Sequence, residues 1–588
     1  MTINPKIVIR PIIDGREAGV RESLEEKTLK MARTAADLIK QELRYFDGTP
    51  VECIVPDFTI GRAGDAAKME ELTVGQKVCA ELTVTPCWDY VTEVLDMDPR
   101  IQHAVWGFNG TERPGAVTLA AAMAAYAQFG VSAFGIYGRD VQDLDDDSVP
   151  EDVKEKLLRF ARAAIAIGQF AGSNYLQIGS QCMGIAGSMI DRDFFKSYLG
   201  LGVESVDMTE IAHRVEGGVF DEEEYQEALA WFKDKVTVGD DIVNGGETLS
   251  QEEYDEQFEY SVKMCLVVRD LMKGNPKLAE AGLREQARGH NAIVGGFQGQ
   301  RQWTDWKPNA DMVESIMNTS FDWTGNRPPI TFATENDTLN GATMLLSQYL
   351  TNRAQLFSDV RTFWSPESVE RVTGHKLEGH GANGFLDLRN SGASSFDASG
   401  AMLDEEGNPT VKPWWEVTEG DIEATLDHVR LYPANRNYFL GGGFSTQFIT
   451  ANAMPMTMAR INICKGLGPV LQLAEGWAVT FDEEAMKKII DRTDPAWPTT
   501  FFAPRLNGKG AFTSVYSVMD HWGANHGAIG FGHYGADLIS MAAMLRIPVS
   551  MHNVEGELFR PRNWDLFGTD NLESADYAAC RTYGPFFG

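Results

Sequence analysis

The strongest constraint in this sequence is an alternation that runs from Ile7 to about Leu350. Short β-branched runs trade places with helical stretches. Ile7 to Ile13 is strand-like and closes on Asp14-Gly15, and Arg21 to Leu43 has helical periodicity with abundant Glu and Lys. Val51 to Val55 and Val78 to Thr85 are strand-like again. Pro114 to Phe129 reads as a helix, Val131 to Tyr137 as a strand, and Val153 to Ala171 as a helix. This βαβα order predicts a parallel sheet covered by helices. A second alternating region has strand signals at Tyr175 to Gly179, Gly202 to Met208, Ala292 to Phe297 and Pro329 to Ala333. Its helix signals are Glu222 to Val236 and Gln251 to Met272.

After about residue 350 the texture changes. Gly, Asn and Pro become frequent, and short β-like runs such as Phe385 to Leu388, Val470 to Leu473 and Trp477 to Phe481 replace long helices, with Gly535 to Leu545 as an exception. The expected class is α/β, with two Rossmann-like α/β domains at 1–172 and 173–352. A β-rich C-terminal domain at 353–588 follows. A length of 588 residues is consistent with several domains of about 100–200 residues each.

Composition excludes some partners. Asp plus Glu total 84 against 52 Lys plus Arg, a formal net charge of -32. Such a surface repels phosphate backbones and anionic membranes, so neither nucleic acid nor a membrane is an expected partner. The most apolar stretch, Val117 to Tyr137, is broken by Gln128, Gly130 and Ser132 and reads as a buried helix and strand rather than a membrane span. Seven cysteines lie at 53, 79, 87, 182, 265, 464 and 580 with no CxxC pair. That pattern and an N-terminus without an apolar h-region point to reduced thiols and a cytoplasmic setting.

Common cofactor motifs fail on context. There is no P-loop, and Gly379-His-Gly381-Ala-Asn-Gly384 matches a dinucleotide fingerprint by letter without a preceding strand or following helix, so no nucleotide cofactor is expected. The acidic run 143–152 lacks the glycine and closing Glu of a calcium loop and reads as a helix start, with Ser148 as cap and Pro150 in the first turn.

Three polar clusters sit in apolar or turn-rich surroundings. Glu335 ends a strand-like run, Asp359 and Arg361 lie inside one, and His526 sits in a glycine-rich turn. Two carboxylates and an imidazole make a plausible first shell for Mn²⁺, with Mg²⁺ or another divalent ion as alternatives. Each has a plainer reading. Glu335 can cap a helix, Asp359 can pair with Arg361, and His526 can be a satisfied loop histidine. His521 and His533 are rival ligands on composition alone.

At these residues the chain resembles the bacterial L-fucose isomerase family. The resemblance is carried by IVIRPIIDGREAGVRESLEE at 7–26, VTPCWDY at 84–90, GFQGQRQWTD at 296–305, ATENDTLNG at 333–341, DVRTFWSPE at 359–367 and WGANHG at 522–527, among others in the same order. It implies a metal-dependent aldose–ketose isomerase that interconverts L-fucose and L-fuculose, and D-arabinose and D-ribulose, through an ene-diol. It implies Glu335, Asp359 and His526 as metal ligands, with Glu335 and Asp359 also as proton-transfer acids. Arg16, Trp88, Gln298 and Tyr438 resemble substrate-pocket residues, the first two reaching a neighbouring subunit's pocket in a homohexamer. Phe444 departs from the pattern, standing where Tyr is expected. Rival readings are a ketol isomerase for another aldose such as L-arabinose, a sugar-binding protein without catalysis, and a metal-dependent hydrolase.

Overall fold

The computed structural model describes residues 3–588 except 97, 114, 247–248, 563 and 565–571. The first unit contains β1 (Lys6–Pro11), α1 (Val20–Glu42), β2 (Cys53–Ile54), β3 (Val78–Thr85), β4 (Gln102–Gly107), α2 (Gly115–Phe129), β5 (Ala133–Ile136) and α3 (Glu151–Phe170). Its sheet has the order β2-β1-β3-β4-β5, parallel throughout. Both faces are covered, which is why these strands read as continuous apolar runs. A buried charged pair lies inside, Arg10 on β1 and Glu81 on β3, 2.9 Å apart. Ser148 does not cap α3. Its N–H is taken by Asp146 Oδ1, and Pro150 stands at the cap position instead.

The second unit repeats the logic. It contains β6 (Asn174–Ile178), β7 (Gly202–Val206), α4 (Gln251–Lys273), β8 (Ala292–Phe297), α5 (Asp311–Asn318), β9 (Thr331–Ala333) and α6 (Thr338–Thr351). Its sheet is parallel, ordered β9-β8-β6-β7. The short strand β9 is held by a side chain acting as an extra strand. Asn318 Nδ2 donates to Glu314 O and Phe332 O, each at 2.8 Å, and Asn318 Oδ1 accepts from Phe332 N at 3.1 Å. Helix α6 is buried from Thr338 to Leu350. A helix without a solvent face sits at the centre of a large protein, and α6 packs between α3, β8 and the third unit.

The third unit is built on a closed barrel. Its strands are β10 (Leu356–Trp364), β11 (Phe385–Arg389), β12 (Pro455–Cys464), β13 (Gly468–Ala478), β14 (Thr499–Pro504), β15 (His526–Phe531) and β16 (Val549–Met551). The order β12-β15-β10-β11-β14-β13 is antiparallel and closes because β13 pairs back onto β12; β16 joins β13 in parallel. Closure removes the edges that a β-rich unit otherwise leaves exposed. The two strands expected at 470–473 and 477–481 are one strand, β13, which ends at Ala478. Gly476 interrupts its apolar pattern because a Cβ there would lie 2.2 Å from Ala503 O on β14.

The three units share their cores. Phe134 and Phe160 of the first pack in one cluster with Tyr175 and Leu346 of the second and Ile461 and Leu545 of the third. All seven cysteines are free, and no helix among the described residues is long and apolar enough to cross a membrane. Removing the Asn318 clamp deletes three buried hydrogen bonds to backbone groups of α5 and β9. Asn318→Ala is expected to destabilise the chain by about 2–3 kcal/mol, read as a lower thermal unfolding temperature, whereas a surface Asn→Ala control leaves it unchanged.

Candidate active site

The strand register decides the geometry. On β10 and β15, Asp359 and His526 are directly opposed partners. Opposed residues of an antiparallel pair carry Cβ atoms about 4.5–5.5 Å apart, so the two side chains reach one spot from adjacent strands. His526 is the first residue of β15 rather than part of a turn, and it is buried. Its Nε2 lies 3.3 Å from Asp359 Oδ1 and 3.5 Å from Glu335 Oε2.

Glu335 arrives from the turn between β9 and α6. It has φ 55° and ψ 21°, and Asn336 has φ 49°, so two successive non-glycine residues are left-handed. Such conformations cost roughly 1–3 kcal/mol each and persist where the surroundings over-determine them. Asn336 supplies this. Its Nδ2 donates to Ser180 O and its Oδ1 accepts from Tyr175 Oη, each at 2.9 Å.

The imidazole is oriented from behind. Its Nδ1 lies 2.7 Å from Asp337 Oδ2, which also accepts from Arg460 at 2.7 Å. With Nδ1 engaged, Nε2 is the nitrogen presented to the two carboxylates. Burial opposes protonation of His526, but Asp337 and Asp359 outweigh it, and the ring is raised from 6.5 to about 9. Burial pushes the Glu335 carboxyl up to about 7, the His526 charge opposing and the Asp359 charge assisting.

Glu335 and Asp359 face a cavity of about 110 Å³, and His526, buried behind them, is not among its lining residues. Its wall includes Gln298, Asp311, Glu314, Thr334, Asn390 and Trp497, besides Glu335 and Asp359. Glu314, Asp311, Thr334 and Asn390 were not singled out by sequence reasoning. Arg361 does not pair with Asp359; its guanidinium lies over the Trp497 ring at 5.1 Å. A β-bulge between Val360 and Thr362 accounts for that turn-away. His521 and His533 are engaged elsewhere, bonded to Ser517 O and Gly476 O. Two carboxylates at the cavity wall, with an oriented Nε2 within 3.5 Å of both, fit a hard divalent ion. A closer-set group of three acids lies elsewhere among the described residues. Oxygens of Glu70, Glu81 and Asp96 fall within 4.8 Å of one another, but Arg10 already neutralises Glu81 there.

Residues 4–172, 173–352 and 388–552 match, in order, the first N-terminal, second N-terminal and C-terminal domain families of L-fucose isomerase. Two proteins named L-fucose isomerase, from Streptococcus pneumoniae serotype 2 and serotype 4, are each 58% identical over 586 residues, 100% of both chains. The chain belongs to the L-fucose isomerase family.

It is therefore an enzyme of the aldose–ketose isomerase type, and the resemblance read from its motifs extends over the whole length. The pocket residues implied by the L-fucose isomerase resemblance divide. Gln298 lines the cavity, with Oε1 accepting from Ser180 N at 2.6 Å and Nε2 donating to Gln302. Tyr438 is half-exposed and packs on Trp497, which does line it. Arg16 and Trp88 are not among the lining residues. The Arg16 side chain is 65% exposed and pairs with Asp14, and Trp88 is 44% exposed. Phe444 is buried edge-on against Phe258, where a hydroxyl is not required.

The Asp337–His526 pair predicts a pH signature in the metal-free chain. A folded pKa near 9 against an ordinary 6.5 means that the contribution of His526 to stability is full below pH 6.5 and is lost as pH rises through about 9. Asp337→Asn leaves Arg460 buried without its anion, a loss of about 3–5 kcal/mol by analogy with broken buried pairs. Calorimetry across this pH range is expected to show a lower unfolding temperature for the variant and a flatter decline. An unchanged slope would mean that Asp337 does not hold the proton.

Proposed function

We propose that this chain is a divalent-metal-dependent isomerase that interconverts L-fucose and L-fuculose, and D-arabinose and D-ribulose. The meeting of His526 Nε2 with Glu335 and Asp359, two acids of one cavity wall, carries the reading. The names of the full-length relatives support the sugar. Glu335, Asp359 and His526 would hold the metal, Mn²⁺ by preference, with Mg²⁺ or another divalent ion as alternatives. The ion would polarise the sugar carbonyl and stabilise the developing oxyanion.

The chain's own residues supply the proton chemistry. Isomerisation moves a proton from C2 to C1 and shifts others between O1 and O2, through an ene-diol. Glu335, a carboxylate at the cavity wall, is placed to take and return the carbon-bound proton; burial raises it to about 7 in the metal-free chain, and a bound cation would draw it down. Asp359, across the imidazole, is placed for the hydroxyl protons. Gln298 and Tyr438 serve sugar hydroxyls. One methyl group contributes only about 1 kcal/mol of recognition, so D-arabinose, which lacks the 6-methyl of fucose, is also accepted.

Three domains carry these parts. Residues 1–172 supply subunit contacts, 173–352 carry Glu335, and 353–588 carry Asp359 and His526. Arg16 and Trp88 lie away from the cavity of their own chain, exposed, which supports delivery to a neighbouring copy in a cytoplasmic homohexamer.

The deciding experiment is ketose formation from L-fucose by metal-stripped protein, with and without Mn²⁺. Product is expected only with metal, with solvent deuterium at C1. Glu335→Gln is expected to lower kcat by about 10²–10⁴-fold. No ketose under either condition overturns the reading for this sugar. Mixing tests the shared site. Trp88→Ala and Glu335→Gln subunits, each nearly inactive alone, are expected to regain activity when unfolded and reassembled together; no recovery would place Trp88 outside the neighbouring pocket.

A further inference from the structure

One acid of the cavity wall, Glu314, is not used by that chemistry, and the hydrogen bonds around it do not balance if it is ionised. Glu314 lies on α5 and is 3% exposed. It makes no ion pair among the described residues. Its Oε2 stands 2.5 Å from Thr334 Oγ1, which stands 3.0 Å from Asn390 Oδ1 and accepts from Ala393 N at 2.7 Å. A hydroxyl has one proton to give. If Glu314 is a carboxylate, Thr334 can serve only one of the two oxygens, and the other contact sets lone pair against lone pair.

The amide cannot be turned to escape this. Gly392 N donates to Asn390 Oδ1 at 2.8 Å, so that atom is the oxygen. Asn390 Nδ2 then faces Asp359 Oδ1 at 3.3 Å. A proton on Glu314 satisfies every contact: Glu314 donates to Thr334, Thr334 to Asn390, and Asn390 to Asp359.

We infer that Glu314 is a neutral acid that positions Asp359 through Thr334 and Asn390. The inference deepens, and rests on, the isomerase reading of the cavity. Two further observations agree with it. Burial, with Asp311 alongside, drives the Glu314 carboxyl far above its ordinary range. The cradle is also closed around the acid. A Cβ at Gly392 would lie 1.9 Å from Glu314 Oε2 and 2.4 Å from Thr334 Oγ1, so neither atom can be replaced by a larger group from that side. An uncompensated buried carboxylate would be costly here, whereas a protonated one is a satisfied donor. The consequence is orientation. Asp359 receives its hydrogen bond from an amide whose own rotation is locked by two partners, so its free oxygen keeps one direction toward the cavity.

The test uses full-length protein, L-fucose and Mn²⁺, with two independent readouts. Glu314→Ala is expected to lower kcat roughly tenfold or more while KM changes less than about threefold, and Glu314→Gln, whose amide can still donate to Thr334, is expected to restore most of the lost kcat. Thr334→Val, which cuts the chain at its middle, is expected to behave like Glu314→Ala. Infrared difference spectra of wild type minus Glu314→Gln at neutral pH are expected to contain a carboxylic-acid C=O stretch. Loss of carboxylate bands instead, no rescue by Gln, or a Thr334→Val enzyme with unchanged kcat would each overturn the inference. If wild type itself forms no ketose, the isomerase reading fails, and the infrared band still decides where the proton resides.

Discussion

The site depends on one buried carboxylate. Asp337 caps α6 through Asn340 N at 3.0 Å, accepts from Arg460 of β12, and meets His526 of β15. It thus ties the second unit's central helix to two barrel strands at a single point. An isolated charge there would be prohibitive, but the permanent cation of Arg460 and the polarisable imidazole share its field. Burial alone would raise this acid; Arg460 and His526 outweigh burial and hold it well below the carboxylate range. The arrangement leaves little slack. A Cβ at Gly187 would come within 2.3 Å of Asp337 Oδ1, so the chain passing behind the carboxylate has no side chain to give way.

That anchor explains where strain is tolerated. Glu335 and Asn336 lie immediately before Asp337, in left-handed conformations that Asn tolerates and Glu does not favour. Asp337 fixes the end of the turn and Asn336 its middle, so Glu335 has no freedom to relax. The result is a carboxylate aimed at the cavity from a strained turn, opposite one aimed from a regular strand. Their different environments follow. Glu335 is largely withdrawn from water and is raised, whereas Asp359, more exposed, stands beside the imidazole.

Much of the fold was legible because parallel α/β units announce themselves twice, in the apolar strand runs and in the amphipathic helices between them. The barrel was legible only as β-rich texture. Its closure depends on which strands pair, and short strands split by residues such as Gly476 do not encode their partners locally. Asp359 and His526 stood out as polar groups in apolar or turn-rich settings, but their opposition across β10 and β15 is a fact of register. Glu314 and Asp311 were missed for a different reason. Acids in the first turn of a short helix are ordinary complements to its dipole. The available signal was that Met312, Val313, Ile316 and Met317 surround that helix with apolar side chains, leaving those acids no wet face.

The acids around the cavity cannot all be charged together, and their surroundings sort them. Asp337, between a guanidinium and an imidazole, stays ionised and orients. Glu335 is raised to about 7 by burial in the metal-free chain, between the two extremes. Asp311 is also pushed up to about 7, chiefly by burial, and its hydrogen bond from Ser445 at 2.8 Å only partly offsets this. Glu314, buried and without a cation partner among the described residues, is strongly disfavoured as an anion. The gradient runs from the Arg460 side of the site to the α5 side. A chain that must move protons among adjacent carbons and oxygens needs an anion that stays an anion, an acid that stays an acid, and a group between them that changes. Differences in burial and in the nearest cation provide all three from the same two residue types.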